Sequence, residues 1–456
     1  MKVGSARHQK SEQSERLSSV RGEAAGNGGS GEARPARQAS EDSGSVGLLW
    51  QALTRENLAR AWKRVKANAG SAGVDGLTVR QTAEHLKVHW PRLKEELLEG
   101  RYRPQPVRRV QIPKVGGGRR ELGIPTVTDR LIQQALLQVL QPLIDPSFSE
   151  HSHGFRPGRR ALDAVCQAQQ YVQAGYRTVV DVDLEKFFDR VNHDVLMDRL
   201  SKRIDDQAVL RLTRRYLQAG IMVHGVVQER YEGTPQGGPL SPLLANVLLD
   251  EVDRELERRG HRFVRYADDC NVYVRSQKAG ERVMAGLRKC YARLRLRVNE
   301  AKSTVASAFG GRFLGYSLWL GPGGEVKRAV AFKAQETFKQ RVRRITKRAG
   351  GRSMSQVVEE LRSYLPGWKA YFRHAQTPRV MRELDKWLRH RLRALRLKQW
   401  RRGTTMYREL RALGATPAHA ARIACNSRRW WRNSRYELNR LMPLGYFDRL
   451  GVPRLS

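Results

Sequence analysis

No apolar run in this chain approaches the roughly 18 residues that a membrane-spanning helix needs, and the first residues lack the apolar core of a secretory signal. A membrane is therefore not an expected partner. Cysteine is scarce as well. Cys166, Cys270, Cys290 and Cys425 stand far apart with no C-x-x-C spacing, which excludes a disulfide framework and a zinc ribbon and fits a reducing cytoplasm. Phe, Tyr and Trp are missing from residues 1–45, a stretch rich in Gly, Ser, Arg and Glu. Such a composition cannot bury enough apolar surface to offset the entropy of ordering, so a disordered leader is expected there. The last shortage is of acid: 45 Asp and Glu face 85 Lys and Arg in 456 residues, a net charge of +40. A chain this basic calls for a polyanion, and nucleic acid is the expected one.

What is present divides into segments. From Trp50 to about Gly100, Leu58, Trp62, Val65 and then Leu86, Leu93, Leu97 recur at helical spacing, interrupted by the turn-rich Ala72-Gly73-Val74-Asp75-Gly76. The middle mixes strands, at 107–112 and 178–183, with helices such as 129–143. After about Phe332 the pattern is wholly helical and basic: residues 331–456 hold 31 Lys and Arg against 8 Asp and Glu, a net +23. The expected division is a leader over 1–45, an α+β domain over 46–330 and a basic helical domain over 331–456.

The chemistry-bearing residues are carboxylates. Arg262-Phe263-Val264-Arg265-Tyr266-Ala267-Asp268-Asp269-Cys270-Asn271-Val272-Tyr273-Val274 has β-rich flanks around a polar centre, the pattern of a hairpin with Asp268 and Asp269 at its tip. An Asp pair is also a favoured turn pair. Asp183 ends the strand 178–183, where an aspartate equally serves as a helix cap, and Asp181 and Asp189 compete with it on residue type alone. Converging carboxylates are the donor set for Mg2+, and a pair of such ions serves nucleotidyl transfer. Lys114 and Arg120 flank Gly116-Gly117-Gly118, a flexible hairpin whose cations are placed to fold over a triphosphate. The glycines of residues 233–238 allow close backbone approach to a base pair, with Gln236 supplying an amide.

At this point the chain resembles the reverse transcriptases encoded within bacterial group II introns, over most of residues 50–456. Tyr266-Ala267-Asp268-Asp269 is similar to that family's palm signature. Asp183 with Phe188 meets its strand-Asp-x-x-x-x-Phe pattern. Other blocks stand in the same order: Ile112-Pro113-Lys114, Arg120-Glu121-Leu122-Gly123-Ile124-Pro125-Thr126, Ser152-His153-Gly154-Phe155-Arg156-Pro157-Gly158-Arg159, Gly233-Thr234-Pro235-Gln236-Gly237-Gly238-Pro239-Leu240-Ser241-Pro242, Asn299-Glu300-Ala301-Lys302-Ser303 and Phe313-Leu314-Gly315-Tyr316. The resemblance implies a right-hand polymerase fold with fingers and palm followed by a helical thumb and maturase region. It implies Asp183, Asp268 and Asp269 as catalytic metal ligands for two Mg2+, with Asp181 and Asp189 supporting. Lys114, Arg120, Phe188, Gln236 and Lys302 fall at its dNTP site, where Phe188 would exclude a 2′-hydroxyl.

In the basic C-terminal segment Val380, Leu384, Trp387, Leu388, Leu392 and Leu395 recur at three- and four-residue steps, while Arg382, Lys386, Arg389, Arg393 and Arg396 populate the rest of the helix. That charge, beside Trp368, Trp400, Trp430 and Trp431, is expected to meet RNA phosphates and bases. By resemblance, through Leu365-Pro366-Gly367-Trp368 and Tyr371-Phe372, this is the thumb and maturase segment, whose partner is a group II intron RNA. A DNA target, primer and dNTPs complete the expected partners, with action at the bacterial nucleoid. No Cys/His-rich HNH endonuclease module is visible in the chain, as in compact relatives. The expected function is an RNA-directed DNA polymerase and maturase assisting splicing and intron mobility. The alternatives are an RNA-binding splicing chaperone without polymerase activity and a reverse transcriptase used in host defence. The sequence does not determine the oligomeric state.

Overall fold

A computed structural model describes residues 47–456 except 114–118, 224–225, 230, 235–236, 349 and 436. The expected leader, residues 1–45, lies outside the described residues, as do Lys114 and Gln236. The chain enters through helices α1 (Leu48–Ala52), α2 (Arg55–Asn68) and α3 (Val79–Leu98). The expected turn separates the last two: Gly76 adopts φ +69°, and Thr78 and Gln81 then cap α3 reciprocally, side chain to backbone in both directions.

Next come the hairpin strands β1 (Val107–Pro113) and β2 (Arg119–Ile124), then α4 (Val127–Ile144), α5 (Ala161–Gln173), β3 (Thr178–Val182), α6 (His193–Ser201) and α7 (Gln207–Gln218). The series continues with β4 (Ile221–Val223), β5 (Val226–Gln228), α8 (Ser241–Arg258), β6 (Arg262–Tyr266), β7 (Asp269–Val274), α9 (Gln277–Arg293), β8 (Thr304–Ser307), β9 (Tyr316–Leu320) and β10 (Val326–Val330). α4 spans the expected helix, and Thr126 caps it by accepting from the Asp129 amide at 3.0 Å.

One sheet runs β2-β1-β4-β5 and another β6-β7-β3-β8. In the second, every pairing is antiparallel, with β3 and β7 central. Side chains alternate across it. Val180, Val182, Cys270 and Val272 join the core built with α4, α8 and α9. Val179, Val264 and Tyr273 pack on the opposite face against Ala164, Ala168 and Val172 of α5. A sheet covered on both faces leaves only its ends for a polar site, and the hairpin tip lies at one end.

After β10 the described chain is helical, as expected: α10 (Phe332–Ile345), α11 (Met354–Phe372), α12 (Pro378–Gln399), α13 (Gly403–Ala412), α14 (Pro417–Cys425) and shorter turns ending with Leu444–Arg449. Phe338, Val342, Leu361, Leu388, Leu392 and Phe447 are fully buried in its separate core. Among the described residues no helix is long and apolar enough to cross a membrane.

The expected RNA-facing stripe of α12 needs correction. Arg382 and Lys386 are exposed and Arg396 is half-buried over the Trp400 ring, but Arg389 is 0% and Arg393 6% exposed. Arg389 donates to Asp385 at 3.2 Å and to the Pro453 carbonyl at 3.2 Å; Arg393 Nε donates to the Met442 carbonyl at 3.1 Å. Residues 442–455 fold back over this side of the helix and bury both guanidiniums. Two of the expected stacking tryptophans also turn inward: Trp400 is 8% exposed, and Trp368 packs between Phe338 and Phe372 at ring separations of 4.6 and 4.7 Å.

Candidate active site

The β6–β7 hairpin pairs Tyr266 with Asp269, so Ala267 and Asp268 form a two-residue turn. Ala267 has φ +59° at the first turn position, where glycine is the usual choice. An L-residue there costs about 1–2 kcal/mol, and the surroundings hold it. Arg265, 0% exposed, donates through Nη1 to the Ala267 carbonyl at 2.9 Å and to Asn246 Oδ1 at 2.9 Å. Its Nη2 reaches Ser152 Oγ at 2.8 Å and Asp253 Oδ2 at 2.5 Å, and the Asp253 side chain is equally buried. The 151–154 loop clamps the same turn: the His153 amide donates to the Arg265 carbonyl at 2.8 Å, and the Arg265 amide to the His151 carbonyl at 2.9 Å. At Gly154 a Cβ would fall 2.1 Å from the Ala267 nitrogen, so only glycine allows this approach.

Register then decides which carboxylates meet. Asp181 lies opposite Asn271 and Val182 opposite Cys270; one further step sets Asp183 opposite Asp269. With a two-residue period, Asp181, Asp183 and Asp269 therefore share a face beside Asp268. Asp189 does not join them: it is exposed at the end of the short turn Phe187–Asp189. Asp183 is held from its own side, its amide donating to Ser303 Oγ at 3.0 Å and its carbonyl accepting from the Asn299 amide at 2.8 Å. With its amide nitrogen turned toward the sheet, Asn271 donates to Asp181 Oδ1 at 2.9 Å.

Partial removal from water, with Asp268, Asp181 and Asp183 nearby, pushes Asp269 up to about 6 against the opposing Arg312. Asp269 keeps an exposed surface, so the crowding of like charges is the physically weighty cause. Asp181 is raised as well, by burial and then by Asp183. Lys302 Nζ stands 3.5 Å from Asp183 Oδ1 and offsets part of this charge. Among the described residues no three His, Cys, Asp or Glu side chains form a ready metal cage.

Phe188 is half-buried, its ring 5.0 Å from that of Phe187, and it lines a cavity beside Gly237 and Gly238. Gly233, at φ +89°, sits where a Cβ would be 3.0 Å from the Phe188 carbonyl, and the Thr234 amide donates to that carbonyl at 2.7 Å. Arg120 lies on β2 opposite Ile112. Sequence reading brought Asp183, Asp268, Asp269, Phe188 and Lys302 to this region. It missed Arg265, Asp253 and Asn246, although an arginine inside the apolar run Phe263-Val264-Arg265 was the available signal.

Residues 112–318 match the family described as reverse transcriptase (RNA-dependent DNA polymerase), and residues 335–414 the group II intron maturase-specific domain. The chain is 37% identical to Protein YkfC of Escherichia coli, over 48% of this chain and 60% of that protein. It is 30% identical to the group II intron-encoded protein LtrA of Lactococcus lactis, over 52% of this chain and 51% of that protein. The matches thus span about half to three fifths of those relatives' own length. Among solved structures, a chain of a partial Cas6-RT-Cas1–Cas2 complex aligns over 54% of this chain and 43% of its own, with 25% identity and a TM-score of 0.36.

Proposed function

Because the chain belongs to the reverse transcriptases that carry a group II intron maturase-specific domain, we propose that it copies RNA into DNA and binds a group II intron RNA, assisting its splicing and mobility. A reverse transcriptase domain implies a divalent metal requirement. The observation that carries the proposal is the gathering of Asp183, Asp268 and Asp269 at one end of an otherwise covered sheet. An oxygen-only cluster in which the neighbouring aspartates help push Asp269 up is suited to a hard divalent cation, and Mg2+ is the proposed one, held by those three aspartates. When bound, two such ions supply activation of a primer 3′-hydroxyl and neutralise charge at the leaving pyrophosphate.

The chain's own groups do the rest. Lys302, beside Asp183, is placed to meet triphosphate charge, and Lys114, Arg120 and Gln236 belong to the same proposed dNTP site. Phe188, half-buried and five residues after Asp183, is the residue proposed to exclude a ribose 2′-hydroxyl and so select deoxynucleotides. Residues 46–330 are the proposed fingers and palm, and 331–456 the proposed thumb and maturase region. Purified protein with Mg2+ is expected to extend a DNA primer on an RNA template, and Asp268→Ala to abolish extension while retaining RNA binding. No extension by the wild type, or equal extension by the variant, would overturn the reading.

A further inference from the structure

The sheet β6-β7-β3-β8 has a second end, and arginine gathers there. A cavity of 460 Å3 opens where β6 and β3 begin and β7 finishes, lined by Tyr176, Arg259, His261, Arg262, Arg275 and Arg282. Its described lining holds no carboxylate. All four arginines are exposed. Arg259 shares Glu255 with Arg258, at 2.5 and 2.9 Å, so one carboxylate serves two guanidiniums. Among the described residues Arg262, Arg275 and Arg282 pair with no carboxylate. Arg275 instead lies over the Tyr176 ring, 5.0 Å from its centre. Arg262 and then Arg275 hold the Tyr176 hydroxyl below its ordinary value. Arg262 stands opposite Tyr273, and Arg275 follows Tyr273 by two residues, so the pleat sets both arginines on one face. Like charges gathered without counter-charge repel, and an anion that meets them together relieves the repulsion.

The lining decides the class of anion. Guanidinium forks match phosphate oxygens two at a time. A metal-bound triphosphate fits less well, because no described lining residue is a carboxylate that could share the ion. Base stacking has no open platform either, since Arg275 already covers Tyr176. Contacts here go to phosphates along a strand, which position a nucleic acid without reading its sequence. The place separates that strand from the one being copied. Arg262 and Tyr266 are four residues apart on β6, roughly 13 Å at the rise of a strand, and Asp268 and Asp269 lie beyond Tyr266. Both faces of the sheet between them are covered.

We propose that the arginine end of this sheet is a second nucleic-acid contact, holding the phosphate backbone of an RNA strand while the carboxylate end copies another segment. The inference rests on the polymerase reading. The test compares the wild type with a triple variant, Arg262→Gln, Arg275→Gln and Arg282→Gln, and with its charge-keeping counterpart, Arg262→Lys, Arg275→Lys and Arg282→Lys. Each protein is first saturated with a short RNA template annealed to a DNA primer, and binding of labelled poly(U) of about 20 nucleotides is then measured across a salt series. The substituted groups are exposed, so Tm is expected to stay at the wild-type value. Poly(U) affinity of the Gln variant is expected to fall about tenfold or more, with a salt slope shallower by about 2, from roughly 0.7 for each of three phosphates on a single strand. The Lys variant keeps the wild-type slope, and single-nucleotide extension on the short template is the same in all three proteins. Unchanged poly(U) binding by the Gln variant, an equal loss of slope in the Lys variant, or a loss matched by a fall in Tm overturns the proposal. Displacement of poly(U) by inorganic tripolyphosphate at equal phosphate also overturns it, assigning the site to a free polyphosphate. A wild type that extends the primer but, once loaded, binds no poly(U) sinks this inference alone, whereas one that neither binds nor extends the template-primer sinks the polymerase reading with it.

Discussion

At the scale of single residues, the carboxylate cluster is a site of stored repulsion. In metal-free protein Asp269 titrates near 6, above the ordinary 3.8 of an unfolded aspartate. A raised folded pKa means that the folded state binds the extra proton, so stability from this group is lost as pH rises between those values. Asp269→Asn removes the penalty. In EDTA its Tm is expected to exceed that of the wild type fully above pH 6, with the gap closing as pH falls toward 4. A gap that widens on acidification would contradict the crowding described here.

Two further residues govern the turn rather than the chemistry. Arg265 and Asp253 form a fully buried pair, and removing one partner strands the other's charge. Arg265→Met is expected to destabilise the protein by about 3–5 kcal/mol in urea unfolding. Gly154→Ala tests position more directly, since its new Cβ collides with backbone at Ala267. Displacement of the Asp268 turn should lower kcat far more than it weakens template-primer binding; a wild-type kcat would show that the clamp does not position the turn.

At the scale of elements, α12 separates two kinds of cation that look alike in the chain. Leu384, Leu388 and Leu392 give it a buried face, and the docked residues 442–455 bury a second one. Arg389→Ala leaves Asp385 without its guanidinium partner and should lower Tm by several degrees, with RNA affinity changed only in proportion to folded fraction. Arg382→Ala with Lys386→Ala touches exposed groups only. That double variant should leave Tm unchanged and reduce the salt slope of RNA binding, by about 1 for each phosphate that the variant no longer neutralises. Filter binding across a salt series, beside thermal melts, distinguishes the two.

For the whole molecule, a net charge of +40 with +23 in residues 331–456 predicts binding dominated by counterion release. RNA affinity should fall by orders of magnitude between about 50 and 200 mM salt; a nearly flat response would refute a phosphate-based interface. The partition of that charge also orders the molecule: carboxylates gather at one sheet end in the first core, while the second core carries most of the excess cation.

The sequence by itself carried the α+β to all-helical progression, the charge that calls for a polyanion, and a hairpin with Asp268 and Asp269 at its tip, of which the structure leaves Asp268 in the turn and makes Asp269 the first residue of β7. These are local matters, because periodicity, turn chemistry and composition act within a dozen residues. Residue type alone left Asp181, Asp183 and Asp189 as equals and the family resemblance singled out Asp183; the pairing of β3 with β7 places Asp181 and Asp183 on the Asp269 face and leaves Asp189 in a turn. The sequence also read Arg389 and Arg393 as solvent-facing. Their burial depends on residues roughly 50 to 60 positions further along the chain docking onto α12. The Arg265 hub has the same origin, joining Ser152 of the 151–154 loop to Asn246 and Asp253 of α8. Long-range packing decides which polar groups lose water, and no local pattern encodes that.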